Sequence, residues 1–180
     1  MTRTSETSTR STGMNIDFSE KEILDACCGG RMWWWNKNHP LSVFMDERLR
    51  EKGFRERQPG WSCKPDVIGD FRRMPFENSS FNMVLFDPPH IFQNTKETSE
   101  LTRAYGSLDP DSALDDIGKG FSECWRVLRP GGSLVFKWAG ELSSIEKLFP
   151  SEPIVGTRRS QDNPKWIIFY KPLDSSSSSS

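Results

Sequence analysis

One loop of the chain, Asp87-Pro88-Pro89-His90, has residue types that are suited to bind an amine. Two successive prolines hold the backbone extended and supply no amide donors, so the Asp87 carboxylate and the backbone carbonyls face whatever enters. These acceptors could hold both hydrogens of an NH2 group and leave the nitrogen lone pair free to attack an electrophilic carbon. The His90 ring could stack on the planar group that carries the amine. The alternative is a proline-rich turn that only ends a strand.

A second candidate site is a turn of small residues after an apolar run, which consists of Asp25, Ala26, Cys27, Cys28, Gly29 and Gly30. Gly29 and Gly30 have no side chain to keep a ligand away from the backbone, and glycine readily adopts positive φ. The turn therefore predicts a place where a ligand lies directly on the main chain. An ordinary strand-to-helix turn is the alternative, because short glycine motifs are common.

Four acidic residues stand at the ends of predicted strands: Asp25, Asp46, Asp70 and Asp87. In a parallel sheet, the carboxyl ends of the strands face the ligand crevice. An acid after the second strand can accept two hydrogen bonds from a ribose diol, and Asp46 has this position. Each of the four could instead cap the turn or helix that follows it.

The elements that must position these residues are predicted from hydrophobic patterning. Six apolar or β-branched runs predict strands, at 22–25, 41–46, 66–70, 82–87, 133–138 and 165–171. Apolar residues at intervals of three and four predict a helix over 112–128. Together they predict an α/β fold: a single Rossmann-like domain with a mostly parallel sheet, helices on both faces and a shortened first helix.

Length and composition limit the organisation of the chain. Its 180 residues have room for one core, which we expect over 20–172, and we expect the polar ends, 1–19 and 173–180, to be disordered. The formal net charge of -1 implies that any nucleic-acid partner is held by a local basic patch. No apolar run approaches the ~18 residues of a membrane span, so we expect a cytoplasmic protein without a membrane partner.

Two residue types suggest further roles. The four cysteines lack the spacing of metal ligands, which predicts reduced thiols and no metal site. Three adjacent tryptophans, Trp33-Trp34-Trp35, cannot all face one core, so at least one should face the crevice or solvent. Roles in the core and in a lid are both open.

The order of these motifs resembles that of class I S-adenosylmethionine-dependent methyltransferases. The resemblance extends over about 22–171 and rests on five pieces: the turn 25–30, Asp46, Asp70 with Met74-Pro75-Phe76, the strand and loop 81–90, and the segment 127–132. Within that superfamily, the Asp-Pro-Pro-His loop is similar to the Asp-Pro-Pro-aromatic loop of amino-methyltransferases that act on adenine N6, guanine N2 or related amines. The chain also resembles small uncharacterised methyltransferase-like proteins of bacteria and phages.

This resemblance implies that residues 25–30 hold the methionine part of S-adenosylmethionine and that Asp46 binds the ribose hydroxyls. It implies that Asp70 binds the adenine amino group beside Phe71, and that residues 87–90 hold the acceptor amine. The chain departs from the family at Cys27 and Arg31, where the family has glycine, and at His90, where Tyr, Phe or Trp is usual.

Further substrate contacts are predicted at Phe86 beside the loop, at three residues of the segment 91–108 and at two basic residues late in the chain; these five are Lys96, Arg103, Tyr105, Arg158 and Arg159. The leading hypothesis is methyl transfer to an exocyclic amine of a base in DNA or RNA. The alternatives are the same chemistry on a small molecule or protein, and a cofactor-binding module that works as a partner subunit. A homodimer is a further expectation for the assembly.

Overall fold

A computed structural model describes residues 19–92, 99–156 and 165–174. Over these ranges seven strands form one sheet in the order β3-β2-β1-β4-β5-β7-β6. The strands are β1 (Ile23–Asp25), β2 (Ser42–Asp46), β3 (Val67–Ile68), β4 (Phe81–Phe86), β5 (Leu128–Trp138), β6 (Val155–Gly156) and β7 (Lys165–Tyr170). The strands from β3 to β5 pair in parallel, whereas β7 is antiparallel to both of its neighbours. The predicted α/β class and mostly parallel sheet are confirmed.

The helical elements differ more from prediction. The principal helix, α2 (Ala113–Val127), matches the predicted helix within one residue at each end. A short helix, α1 (Glu100–Tyr105), lies in the segment predicted as a loop, and the Ser99 hydroxyl caps it by accepting from the Thr102 amide. Two single-turn 3-10 helices follow β5, at Leu142–Ser144 and Glu146–Leu148. The predicted terminal tails lie almost wholly outside the described residues.

The two faces of the sheet have different surroundings. Side chains that alternate along the strands toward α2 are fully buried, and Phe86 packs against Phe121 of this helix with ring centroids 5.6 Å apart. On the other face Met83 is 37% exposed and Trp166 is 42% exposed. Residues 26–41, all of which are described, form turns but no helix. The predicted shortened first helix is therefore absent from this segment.

Strand ends also differ from prediction. β5 begins at Leu128, which pairs with Phe81 before a register shift, so the strand starts five residues before the predicted run 133–138. β6, with two residues, was not predicted, because so short a run has no measurable alternation. None of the helices within 19–92, 99–156 and 165–174 is long and apolar enough to cross a bilayer.

Candidate active site

A cavity of about 260 Å³ lies at the carboxyl ends of β1 and β4, the neighbouring strands where the strand order reverses. Such reversal points are where open α/β sheets bind ligands. The cavity joins the two motifs predicted from sequence, since its lining includes Asp25, Cys27, Cys28, Gly29, Gly30, Asp46, Asp87, Pro88, Pro89 and His90. Tyr105 also lines it, as predicted for a substrate contact, and Ala26 is buried behind the turn.

The turn after β1 has the backbone geometry that the glycines predict. Gly29 has φ +45°, and its amide donates to Asp46 Oδ2 over 2.9 Å. A Cβ on Gly30 would lie 2.3 Å from Trp61 Nε1, so only glycine fits there. Arg31 takes φ 54°, and its guanidinium lies 3.7 Å from the centroid of the Phe44 ring. This stacking shows how the turn accommodates an arginine.

The Asp46 carboxylate is buried and already paired. Arg48 donates to Asp46 Oδ1 from its backbone amide over 3.0 Å and from Nε over 2.9 Å. A diol that used both carboxylate oxygens would therefore share Oδ1 with Arg48. Arg48 was not predicted as a site residue. Its position, two residues beyond an acid at a strand end, is the signal by which it could have been found.

Asp25 is buried at the floor of the cavity. Its Oδ2 accepts from Trp34 Nε1 over 2.8 Å. Burial raises the pKa of Asp25 to about 7, and the nearby Asp87 and Asp46 raise it further, whereas the bonds from Trp34 and from the Cys27 amide only partly lower it. Asp25 therefore keeps its proton to a much higher pH than an ordinary carboxyl group.

The two carboxylate oxygens of Asp87 have different environments. Oδ2 accepts from Trp33 Nε1 over 2.8 Å and from Lys137 Nζ over 2.7 Å. Oδ1 is buried and has no hydrogen-bond partner among the described residues, and the same is true of His90 Nδ1, which lies 3.8 Å away. Lys137 and Trp33 thus hold Asp87 through one oxygen, and the other oxygen has no partner among the described residues.

His90 is held as a neutral ring. Burial lowers the pKa of the His90 imidazole and the Lys137 charge lowers it further, although Asp87 and a backbone contact with Pro88 act in the opposite direction. The ring meets Trp138 edge-on, with centroids 6.2 Å apart and an interplanar angle of 86°. The predicted stacking of His90 on a substrate stays a prediction.

The three tryptophans have separate roles, which answers the question left open by the sequence. Trp33 donates a hydrogen bond to Asp87 and packs on Trp166 with ring centroids 4.2 Å apart. Trp34 bonds Asp25 and packs edge-on against Phe44, whereas Trp35 is fully exposed. Two consecutive indoles therefore donate to the two acids at the ends of β1 and β4.

Two predicted site residues lie in the core instead. Phe86 is fully buried among aromatic rings, because side chains alternate along β4 and Phe86 faces α2 while Asp87 faces the cavity. The predicted substrate contact of Phe86 is corrected to a packing role. Phe71 is 7% exposed and packs on Phe86 with centroids 5.5 Å apart, so the structure does not bring it to the cavity.

Other predicted residues also lie away from the cavity. Asp70 does not line it and is paired with Arg72 Nη2 over 2.8 Å; although partial burial raises the Asp70 pKa, the bonds from Arg72 lower it below its ordinary value. Arg103 stacks on Phe54 beside a different cavity. Lys96, Arg158 and Arg159 lie outside the described residues.

Three buried ligand-type atoms meet behind the turn, although their sequence spacing does not indicate it. Atoms of Cys28, Asp46 and Cys63 lie within 4.8 Å of one another. Hydrogen bonding with Cys63 and burial raise the pKa of the Cys28 thiol, and Asp46 is already bound to Arg48.

Comparisons with known proteins found only distant structural similarity. No protein-family model matches the chain, and no curated protein matches its sequence. A solved protein of Pyrococcus horikoshii is 14% identical with a TM-score of 0.49, and the match covers 84% of this chain and 81% of that one. A SAM-dependent methyltransferase of Methanosarcina mazei is 15% identical with a TM-score of 0.41, over 86% and 94% of the two chains. The N-methyltransferase NodS of Bradyrhizobium japonicum is 13% identical with a TM-score of 0.43, over 85% and 86%. Similarity at this level does not assign an activity.

Proposed function

We propose that this chain is an S-adenosylmethionine-dependent methyltransferase whose acceptor is an exocyclic amine of a nucleic-acid base, such as adenine N6 or guanine N2. The observation that carries the proposal is the cavity at the β1/β4 reversal point, which joins the glycine turn to the Asp-Pro-Pro-His loop. A ligand on the turn and an amine in the loop would share that cavity, as a transfer between them requires.

The residues of the cavity fit a cationic cofactor. Three carboxylates line it against two cations, and the ion pairs Asp46–Arg48 and Asp87–Lys137 leave Asp25 as the third acid. S-adenosylmethionine has a sulfonium and an ammonium, and a positive ligand near Asp25 would stabilise its ionised form. When bound, this cofactor supplies an electrophilic methyl group. At Gly29 an added Cβ would lie 3.6 Å from the Tyr105 ring, so this ring already packs over the glycine.

The proposed binding of the methyl-accepting amine is argued from two atoms that have no hydrogen-bond partner among the described residues. Asp87 Oδ1 can accept one hydrogen of an NH2 group, and neutral His90 Nδ1 can accept another when its proton is on Nε2. Both atoms are then placed to take the proton that the nitrogen loses after methylation. The Lys137 ammonium beside Asp87 disfavours a protonated amine. This favours base amines, which are uncharged at neutral pH, over the lysine amine, whose pKa is about 10.4.

The test is a side-by-side transfer assay. Purified protein is incubated with methyl-labelled S-adenosylmethionine and with total RNA, genomic DNA or a small-metabolite extract. We expect label in a nucleic-acid fraction and an N-methylated base after hydrolysis. Asp87→Asn should reduce transfer roughly a hundredfold and change cofactor affinity much less, because the proposed ligand contact of Asp87 is with the acceptor. The exposed residue Asp111 provides the matched control, Asp111→Asn, which should behave as the parent.

The outcomes separate the parts of the proposal. Absence of cofactor binding in calorimetry would contradict the cofactor assignment. Cofactor binding with transfer only to the metabolite extract would leave the chemistry standing and overturn the nucleic-acid acceptor. Cofactor binding without transfer to any fraction would favour a non-catalytic module or partner subunit.

A further inference from the structure

A second cavity adjoins the active site and is basic. It has a volume of about 680 Å³, and we call it the basic cleft; its lining includes Arg31, Lys37, Lys52, Trp61 and Lys64. No aspartate or glutamate is among the described residues that line it. Gly30 and Met32 line both the basic cleft and the active-site cavity, so the two share a wall.

The cleft has an excess of positive charge. Arg31 pairs with Asp66 over 3.3 Å, and Lys64 pairs with Glu51 over 2.6 Å on the surface. Lys37 Nζ donates to the Gly30 carbonyl over 3.2 Å. Within the described part of the chain, neither Lys37 nor the exposed Lys52 forms an ion pair. Two cations are therefore uncompensated in one cleft of a chain whose net charge is -1, and this is a local basic patch.

Trp61 provides an independent indication of a ligand. Its side chain lines the cleft and is only 6% exposed, and its Nε1 donor has no acceptor among the described residues. Nε1 lies against Gly30, in the wall shared with the active site. Buried indole N–H groups normally have a hydrogen-bond partner, so the acceptor for this one is missing among the described residues.

We propose that the basic cleft binds the phosphate backbone of the nucleic acid whose base enters the active site. Phosphate oxygens accept from lysine and neutral N–H donors, and the cleft has Lys37, Lys52 and the Trp61 indole around one space. A strand that lies in the cleft would reach the acceptor loop across Gly30 and Met32. This inference rests on the proposed function, since it supplies the polymer contact for that acceptor site.

The test is oligonucleotide binding to the full chain, with fluorescence anisotropy of labelled 12-nucleotide RNA and DNA strands. Lys52→Glu reverses an exposed charge that has no ion pair, so folding should be unaffected. We expect affinity to fall about tenfold or more and the slope of log affinity against log salt to become shallower by roughly one. Lys147→Glu, an equal charge change at an exposed site on the 3-10 helix Glu146–Leu148, is the matched control and should bind as the parent.

Two further measurements identify the source of any effect. Cofactor affinity and methyl transfer to a free nucleoside should be unchanged in Lys52→Glu, because neither needs the cleft. Trp61→Phe, which removes the Nε1 donor together with the five-membered ring that carries it, should weaken oligonucleotide binding severalfold at a temperature well below its melting temperature, where the variant is folded.

The proposal is overturned if Lys52→Glu binds the oligonucleotide as the parent does, if Lys147→Glu weakens binding equally, or if Lys52→Glu loses cofactor affinity. The last result would assign the cleft to the cofactor. Failure of the proposed function is distinguishable, because it would appear as loss of cofactor binding or of methyl transfer in the parent itself.

Discussion

Asp25→Asn is expected to stabilise the ligand-free protein, and increasingly so as the pH rises. The folded-state pKa of Asp25 is about 7, against 3.8 for the unperturbed group. Below pH 3.8 the carboxyl is protonated in both the folded and the unfolded state, so it does not change the free energy of unfolding. Between 3.8 and about 7 only the folded state keeps the proton, so the free energy of unfolding falls by about 1.4 kcal/mol per pH unit. Above about pH 7 the free energy of unfolding falls no further. Over the interval of about 3 pH units it has then decreased by roughly 4 kcal/mol.

Asparagine keeps an oxygen that can accept from Trp34 Nε1 and removes the charge whose burial causes this cost. The assay is urea unfolding of the parent and of Asp25→Asn at pH 5 and pH 8. The advantage of the variant should grow by about 3 kcal/mol between these values, because about 2 pH units of the window lie above pH 5. Asp111→Asn, at an exposed site, should show no such growth. A difference between parent and Asp25→Asn that is the same at both pH values would refute the assignment of a raised pKa.

The same carboxyl should couple protonation to binding of the proposed cofactor. A cationic ligand near Asp25 lowers its pKa, so binding at pH 6.5 should release a proton and cofactor affinity should rise with pH up to about 7. Calorimetric titrations in buffers of different ionisation enthalpy measure this release. Binding without proton release would show that the positive charges of the cofactor do not lie near Asp25.

Three other substitutions test the site and the sheet. Asp46→Ala removes the acceptor of the ribose diol, so cofactor affinity in calorimetry should fall by about 1 to 3 kcal/mol; a parental Kd would contradict this role. Lys137→Met removes the ammonium that holds Asp87 Oδ2, so the transfer rate should fall at least about tenfold and recover partly in Lys137→Arg, with cofactor affinity unchanged; a parental rate in Lys137→Met would rule out a positioning role. Leu134→Ala, on the face buried by α2, should cost about 2 to 5 kcal/mol of unfolding free energy, whereas Met83→Ala on the opposite face should cost less than about 1; similar losses would contradict the difference between the faces.

The fold class could be predicted because its signals are local. Runs such as 82–87 contain enough apolar residues to require burial, and the apolar stripe of α2 has the helical period. The acids at the ends of β1 and β4 were predicted to face one crevice, because carboxyl ends of adjacent parallel strands meet at one edge. α1 and β6 were not predicted, because they are too short to show a hydrophobic periodicity in the sequence. The missing helix between β1 and β2 was predicted only as a shortened one.

The partners within the site were decided by the tertiary structure. Lys137 reaches Asp87 because β4 and β5 are neighbours in parallel, and Trp33 reaches the same oxygen from a segment that crosses the strand ends. Side chains alternate between the two faces of β4, and Phe86 lies on the face that packs against α2. The sequence pattern shows the alternation but does not show which of the two faces is buried. The basic cleft likewise joins cations from 31–37 with cations from 52–64, which meet only in the folded chain. Periodicity is a property of neighbouring residues and can be found in the sequence. Pairing of side chains across strands depends on register and on contacts between distant segments, and those exist only once the chain has folded.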